Sequence, residues 1–410
     1  MNIGILNDDQ VNNSVWAMSN TVQHVYPWLS YDECTEVCIV GGDIMAAMCA
    51  LEFAKFGIKV VLISDLPIGF SRFACDAVVR SNLDGNLFSM CNSVGMKSAM
   101  NLYNKLNDVF GSVQEFLSDT DMNCWYMTDN ITCTTSEDTE YDFRKEYLFT
   151  RHGGAQIDIL TGHFGVDSIS LPKKIQFGLM YRNQAIVVDP YLFIHQVIKK
   201  AIENGAVVYE NSPALSIGKS NNGCEIQTIS GRKVFSQKVI VTDSILKNRV
   251  LKCNVNRGTV FTVMTNKIPE LCGDSKKFPV ISFADHPKVE IFVTNDGRIV
   301  ASGLESGSVS RAGKIAGVLA TSSVCKNKYK HLLSCIRKTF SDDIKFECDF
   351  VSNSVFAMRN EFLPLVSRSE KDQDIYLAFA PRDNQISFSV VAANVLLDMY
   401  KGIRESMSDE

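Results

Sequence analysis

The segment Glu36–Ser64, EVCIVGGDIMAAMCALEFAKFGIKVVLIS, constrains the fold more than any other part of the chain. Val37–Val40 is a short apolar run suited to a buried parallel strand, and Gly41-Gly42 closes it. Ile44, Ala47, Met48, Leu51 and Ala54 then recur at helical spacing, with Gly57 placed to stop the helix. Lys59–Ile63 is a second strand-like run rich in β-branched residues. Strand, glycine turn, helix and strand in this compass make the first βαβ unit of a dinucleotide-binding fold.

The turn departs from the fingerprint that normally serves such a unit. In G-x-G-x-x-G the second glycine lets the backbone approach a pyrophosphate at the helix N-terminus. Gly41 fills the first position, Gly42 follows it, Asp43 stands at the second and Ala46 at the third. Ala46 is a tolerated change. Asp43 is not, because a carboxylate about 4 Å from a phosphate charge costs roughly 4 kcal/mol near a protein surface, on the order of a thousandfold in affinity. Asp is also a favoured N-cap that complements the helix dipole, so Asp43 is expected to cap its own helix. The second strand ends in Ser64 where an acidic residue would hold a ribose hydroxyl. Asp65 follows, with its side chain expected on the other face.

At 410 residues the chain can hold two domains, and its 46% hydrophobic and 21% charged content is that of a well-cored globular protein. A net charge of −5 gives no electrostatic case for nucleic acid or an anionic membrane. The first thirty residues lack a basic region followed by an apolar core, and no apolar run reaches the length of a membrane span. The thirteen cysteines include no C-x-x-C pair, and several, such as Cys38, Cys49 and Cys335, lie inside apolar runs where a thiol packs as a small hydrophobe. Reduced thiols, no metal site and a cytoplasmic location are the expectation.

Residues 1–35 form a polar arm with scattered aromatics. Residues 65–92 are expected to be irregular, 93–118 helical, and 124–151 an exposed loop or short strands. Val187–Pro190 leads into an amphipathic helix over Tyr191–Asn204, with Asp189 as cap and Pro190 at the first helical position. Val207–Tyr209 is a strand, and two alternating strands turn at Asn221–Gly223. Lys238–Thr242 is another buried run, 258–305 alternates around turns such as Asn295-Asp296-Gly297, and 311–340 is helical. Ile375–Ala380 is a last strand before a helix over Phe388–Tyr400. The fold class expected is α/β: a Rossmann-like dinucleotide-binding domain with an inserted domain of antiparallel sheet plus helices.

These pieces together resemble the FAD-dependent oxidoreductases of the D-amino-acid oxidase and glycine oxidase type. The βαβ unit carries the resemblance first. Val188–Leu215, VDPYLFIHQVIKKAIENGAVVYENSPAL, is similar to the family's segment after the inserted domain. Asp296-Gly297-Arg298, Glu361-Phe362-Leu363-Pro364-Leu365-Val366 and Asp374–Ala378 resemble three further family segments in the same order. The resemblance implies a discontinuous FAD-type domain (36–98, 185–256 and 350–410) and a substrate-type domain (99–184 and 257–349). It also implies oxidation of a C–N bond of an amine or amino acid, with hydride passing to flavin. On this footing Gly41, Gly42, Asp43, Ala46, Ser64, Ser71, Arg72, Leu215, Thr242, Ala380, Gln385 and Ile386 are the cofactor-facing positions.

The departures from the family pattern fall in its nucleotide-facing segments. Ile68–Asp76 keeps part of a Ser/Thr/Arg/Asn-rich turn near the flavin. The strand usually ending A-T-G reads Val241-Thr242-Asp243-Ser244. The C-terminal turn, G-x-x-x-x-G beside the flavin in the family, reads Ala380-Pro381-Arg382-Asp383-Asn384-Gln385. For a substrate carboxylate the resemblance implies a bidentate arginine. Arg382 is first choice and Arg359 next, with Arg182 and Arg311 as further candidates and Tyr181 and His286 as polar neighbours. Two readings follow: an FAD-dependent amine or amino-acid oxidoreductase, or a flavin-free degenerate paralogue serving as a binding or regulatory subunit, with a protein partner or homo-oligomer in either case.

Overall fold

The computed structural model describes residues 14–70, 76–81, 87–120, 123–137, 140–166, 169–170, 175–220, 223–242, 256–272, 278–285, 288–306, 323–358, 365–369, 372–381 and 383–402. In chain order its elements begin with helix α1 (Val15–Ser19), strand β1 (Glu33–Val40), α2 (Ile44–Lys55), β2 (Val60–Ile63), β3 (Val78–Arg80), α3 (Leu87–Val94) and α4 (Met96–Ser118). There follow β4 (Trp125–Thr134), α5 (Glu140–His152), β5 (Ile157–Gly162), β6 (Gly165–Val166), β7 (Ile169–Ser170), β8 (Ile175–Val188), α6 (Pro190–Glu203), β9 (Val207–Tyr209) and β10 (Ala214–Ser220). Next come β11 (Gly223–Thr228), β12 (Lys233–Val241), β13 (Asn256–Thr265), β14 (Val280–Phe283), β15 (Val289–Val293) and β16 (Ile299–Ser306). The chain closes with α7 (Ser323–Thr339), β17 (Cys348–Met358), β18 (Leu365–Arg368), β19 (Ile375–Phe379) and α8 (Gln385–Tyr400).

The chain divides into two compact units, each built from separated segments. One comprises Met1–Ser19, Ala77–Asp189 and Gly258–Val355; the other comprises Asn20–Asp76, Pro190–Arg257 and Phe356–Glu410.

The second unit is a nucleotide-fold sheet in the order β10-β11-β12-β1-β2-β9, with β19 also beside β12 and β18 beside β19. β9, β2, β1, β12 and β19 run parallel. Cys38, Val40, Val61, Ile63, Val239 and Val241 form a core on one face, which Leu29 of the N-terminal arm also joins. Helix α2 packs with α6 and α8, and Phe53 meets Tyr400 edge to face at 5.6 Å. Gly57, at φ 82, ends α2 where the sequence places its stop.

The first unit is built on a nine-stranded sheet, β17-β13-β16-β15-β14-β4-β8-β3 with β5 on β8. Val289, Ile291 and Val293 share one face with Ile131, Ile281 and Ile299. Cys325, Tyr329, Leu332, Leu333 and Ile336 of α7 cover it at helical spacing. Glu290 and Phe292 alternate onto the opposite face, where Trp16 of α1 stacks on Phe292. There Arg80 and Glu290 form a buried ion pair, and Ser282 donates its hydroxyl to the same carboxylate at 3.1 Å.

Two sequence expectations are corrected. Residues 65–92 are not wholly irregular, since they contain β3 and α3, and residues 124–151 hold the long strand β4 and helix α5 rather than an exposed loop. β4 is polar on a buried face (Thr128, Asn130, Thr132, Thr134), a pattern that looks like loop when burial is unknown. The part of the expected helix 311–340 that precedes Ser323 lies outside the described residues.

Candidate functional site

Parallel strands of an open α/β sheet present their C-terminal ends to ligands, at the point where strand order reverses. In the second unit that point is β1, flanked by β2 and β12. Val40 pairs with Ile63 on one side and Val241 on the other. The residues just beyond these partners are Gly41-Gly42-Asp43, Ser64 and Thr242, so the register brings together sequence candidates separated by up to two hundred residues.

Gly41 has φ 151, a conformation that glycine adopts without strain, and its N–H donates to Ile63 O at 3.0 Å. At Gly42 an added Cβ would stand 2.1 Å from Ser64 Oγ, so the turn and the end of β2 are in close contact. Ser64 is buried, takes Tyr209 O with its N–H at 2.9 Å, and donates its hydroxyl to Leu66 O at 2.6 Å. Its hydroxyl is therefore committed to the chain's own turn.

Asp43 is the N-cap of α2, in extended conformation, and its Oδ1 accepts the Ala46 N–H at 2.9 Å. The same oxygen accepts the Thr242 hydroxyl at 2.9 Å. The carboxylate thus lies across the gap between the first turn of α2 and the end of β12, and Thr242 is tied to Val40 O through its own N–H at 3.1 Å. Ala46 is fully buried, as its place in the fingerprint requires.

The start of α8 repeats the arrangement. Asn384 is buried with φ 57, and its N–H donates to Asp76 Oδ2 at 2.7 Å. Gln385 Oε1 accepts the Asp76 N–H at 3.3 Å, so the two residues hold each other reciprocally, as in a capping box. Ile386 is buried behind them, and Ala380 is half-buried just past β19. No local sequence pattern signals this pairing, because 308 residues separate Asp76 from Asn384.

Three further candidates lie on other elements. Leu215 is exposed near the start of β10. Tyr181 belongs to the first unit, fully buried in a cluster with Phe143, Ile157, Phe177 and Leu179. Arg182 is exposed, with Asp158 and Asp129 as ion partners. Ser71, Arg72, His286, Arg311, Arg359 and Arg382 lie outside the described residues. Among the described residues no group of His, Cys, Asp and Glu is arranged to hold a metal, and no helix is long and apolar enough to cross a membrane.

A sequence model of FAD-dependent oxidoreductases, the DAO family, matches residues 36–399. The chain belongs to that family. A putative Rieske 2Fe-2S iron-sulfur protein of Bacillus subtilis is 22% identical over 217 residues, covering 52% of this chain and 41% of that protein. The chain spans about half the length of the curated relatives it matches. Among solved structures, glycine oxidase from Geobacillus kaustophilus superposes with a TM-score of 0.70 at 15% identity, covering 91% of this chain and 96% of that one. L-amino acid deaminase from Proteus vulgaris gives 0.68 at 11% identity over 94% and 97%. These likenesses show the fold that the sequence implies, a Rossmann-like domain joined to a mixed sheet domain.

Proposed function

We propose that this chain acts on the C–N bond of a small amine or amino acid, the nominal reaction of its family. The observation carrying this reading is the family match from residue 36 to residue 399, which reaches from β1 into α8. Glycine oxidase and L-amino acid deaminase, by name, act on amino acids, which supports the substrate class. In this reading Arg382 and Arg359 take the substrate carboxylate, with Tyr181 on the substrate side. Gly41, Gly42, Ala46, Ser64, Ser71, Arg72, Leu215, Thr242, Ala380, Gln385 and Ile386 surround the cofactor. A cytoplasmic location and a homo-oligomer or protein partner belong to the same proposal.

FAD is the family's cofactor, and its dinucleotide matches the βαβ frame better than it matches the atoms at the turn. The backbone is suited to it: Gly41 and Gly42 keep the turn tight, and Ala46 is small enough for close helix–sheet packing. The diphosphate does not fit the α2 N-terminus as it stands, because the Ala46 N–H that a phosphate oxygen would take is held by Asp43. That observation favours a second reading, a paralogue without flavin that binds a ligand or partner. The test is turnover by protein held in excess FAD, with amines and amino acids screened for bleaching of the flavin bands. Bleaching by one substrate class establishes the first reading; protein that takes up FAD yet is bleached by none overturns it. Failure to take up FAD at any concentration selects the second.

A further inference from the structure

Two helix N-termini of the second unit, at separate strand ends, are closed by carboxylates of the chain itself. Asp43 Oδ1 holds Ala46 N–H on α2 and the Thr242 hydroxyl, both at 2.9 Å. Asp76 Oδ2 holds Asn384 N–H at the start of α8, and Gln385 returns a bond to the Asp76 backbone. The family resemblance places the cofactor's diphosphate at the first of these ends and the flavin ring beside the second. A helix N-terminus attracts one anionic group at a time, since its few free N–H groups and its partial positive charge are local.

We propose that Asp43 and Asp76 are built-in substitutes for the cofactor's anionic and acceptor groups, making the cofactor-free form the self-satisfied state of this site. The location of the site rests on the family reading, whereas the competition itself does not require any activity. FAD must displace the Asp43 carboxylate from Ala46 and Thr242, or lie against it at a separation where like charges repel strongly. Thr242 sharpens the effect. Its hydroxyl fixes the carboxylate over the crevice rather than letting it swing to solvent, and its backbone N–H is anchored to β1. Ser64 places a neutral hydroxyl where an acidic residue would hold a ribose hydroxyl, and its proton is already given to Leu66 O.

The experiment is a titration of the full chain with FAD, ADP and riboflavin, followed by flavin fluorescence or, for ADP, calorimetry. It compares wild type, Asp43→Asn, Asp43→Gly, Asp76→Asn and the Asp43→Asn/Asp76→Asn double variant. Asparagine caps a helix about as well as aspartate, so the Asn variants remove charge while leaving the fold in place. Circular dichroism and melting curves check that directly. The expected result is a gain in FAD and ADP affinity of about tenfold or more for Asp43→Asn, and a larger one for Asp43→Gly. Riboflavin, which lacks phosphate, should be unmoved by Asp43→Asn and should gain from a further variant, Asp76→Ala, which releases the Asn384 N–H that asparagine would still hold. Wild type that retains one FAD per chain through purification and desalting overturns the proposal while leaving the oxidoreductase reading intact. Folded variants that bind ADP and FAD no better than wild type also overturn it. An active, FAD-loaded wild type with unchanged variants therefore separates failure of this inference from failure of the proposed reaction.

Discussion

His195 shows how one buried side chain makes the stability of the second unit depend on pH. It lies on α6 with its ring 4.7 Å from that of Tyr191 and 6.5 Å from that of Tyr26. Burial drives its pKa from 6.5 down to about 4, with the neighbouring His24 acting in the same direction and the Ile68 backbone opposing. The unfolded chain therefore binds a proton near pH 6.5 that the folded chain refuses until about pH 4. The stability this represents is complete above the unfolded value and is lost as pH falls through that window, at most roughly 3 kcal/mol. Glu210, which accepts the Ile68 and Tyr26 N–H groups, has a pKa raised mainly by burial, so its contribution runs the opposite way. The informative quantity is the difference between wild type and His195→Phe in urea unfolding at a series of pH values. The variant should lose most of the acid-side slope between pH 6.5 and 4; an unchanged slope would assign the acid sensitivity to other groups. At this scale the sequence was informative where the interaction is local, as with Asp43 and the Ala46 N–H three residues on. It carried no sign of Asp76 meeting Asn384, because nothing in either neighbourhood specifies a partner in the other.

At the scale of elements, legibility followed hydrophobic period. β1, α2 and β2 are apolar in strand or helix rhythm and were plain, as was α6 with Pro190 at its first position. α5 was hidden, since EYDFRKEYLFTRH buries only Phe143, Glu146 and Thr150. The buried acid is the reason α3 and α5 exist as a pair. Glu146 accepts the first two N–H groups of α3, Leu87 at 3.1 Å and Phe88 at 2.7 Å, and also takes the Thr150 hydroxyl at 3.1 Å. A carboxylate on one helix thereby caps the next, a relation that periodicity cannot reveal. Glu146→Ala should destabilise the chain by roughly 2–3 kcal/mol, since it leaves buried donors without their acceptor. Glu146→Gln, which keeps an acceptor oxygen, should cost less. Denaturant midpoints for the two variants make the comparison, and equal, small losses would mean that packing rather than capping holds α3.

At the scale of the molecule, the order of several modest segments identified the family even though each was weak alone. Strands in the parallel sheet are buried on both faces, so core-facing residues stay recognisable while ligand-facing ones are free to change. The same burial governs the thiols. The eleven cysteines among the described residues are thiols, with no disulfide between them. Cys38, Cys49, Cys133, Cys224 and Cys325 are buried, whereas Cys34 and Cys272 are exposed. Burial raises the Cys133 thiol to about 12 and the Cys224 thiol to about 11, and holds Cys38 and Cys49 far above the ordinary range. Thiolate, the reactive form, is therefore scarce at these sites as well as shielded. A brief pulse of a thiol-directed label at neutral pH, read peptide by peptide in a mass spectrometer, should mark Cys34 and Cys272 within the pulse. The buried five should label only after denaturant is added, together and over the unfolding transition of the unit that holds them, because each is exposed by loss of a core rather than by movement of a loop. Rapid labelling of Cys38 or Cys224 in the native protein would mean that the sheet beneath the Gly41–Asp43 turn opens without unfolding. That sheet sets the Val40, Ile63 and Val241 register, and with it the distance between Asp43 and Thr242. Protection of these thiols and rigidity of the Asp43–Thr242 contact are thus two readouts of one structure.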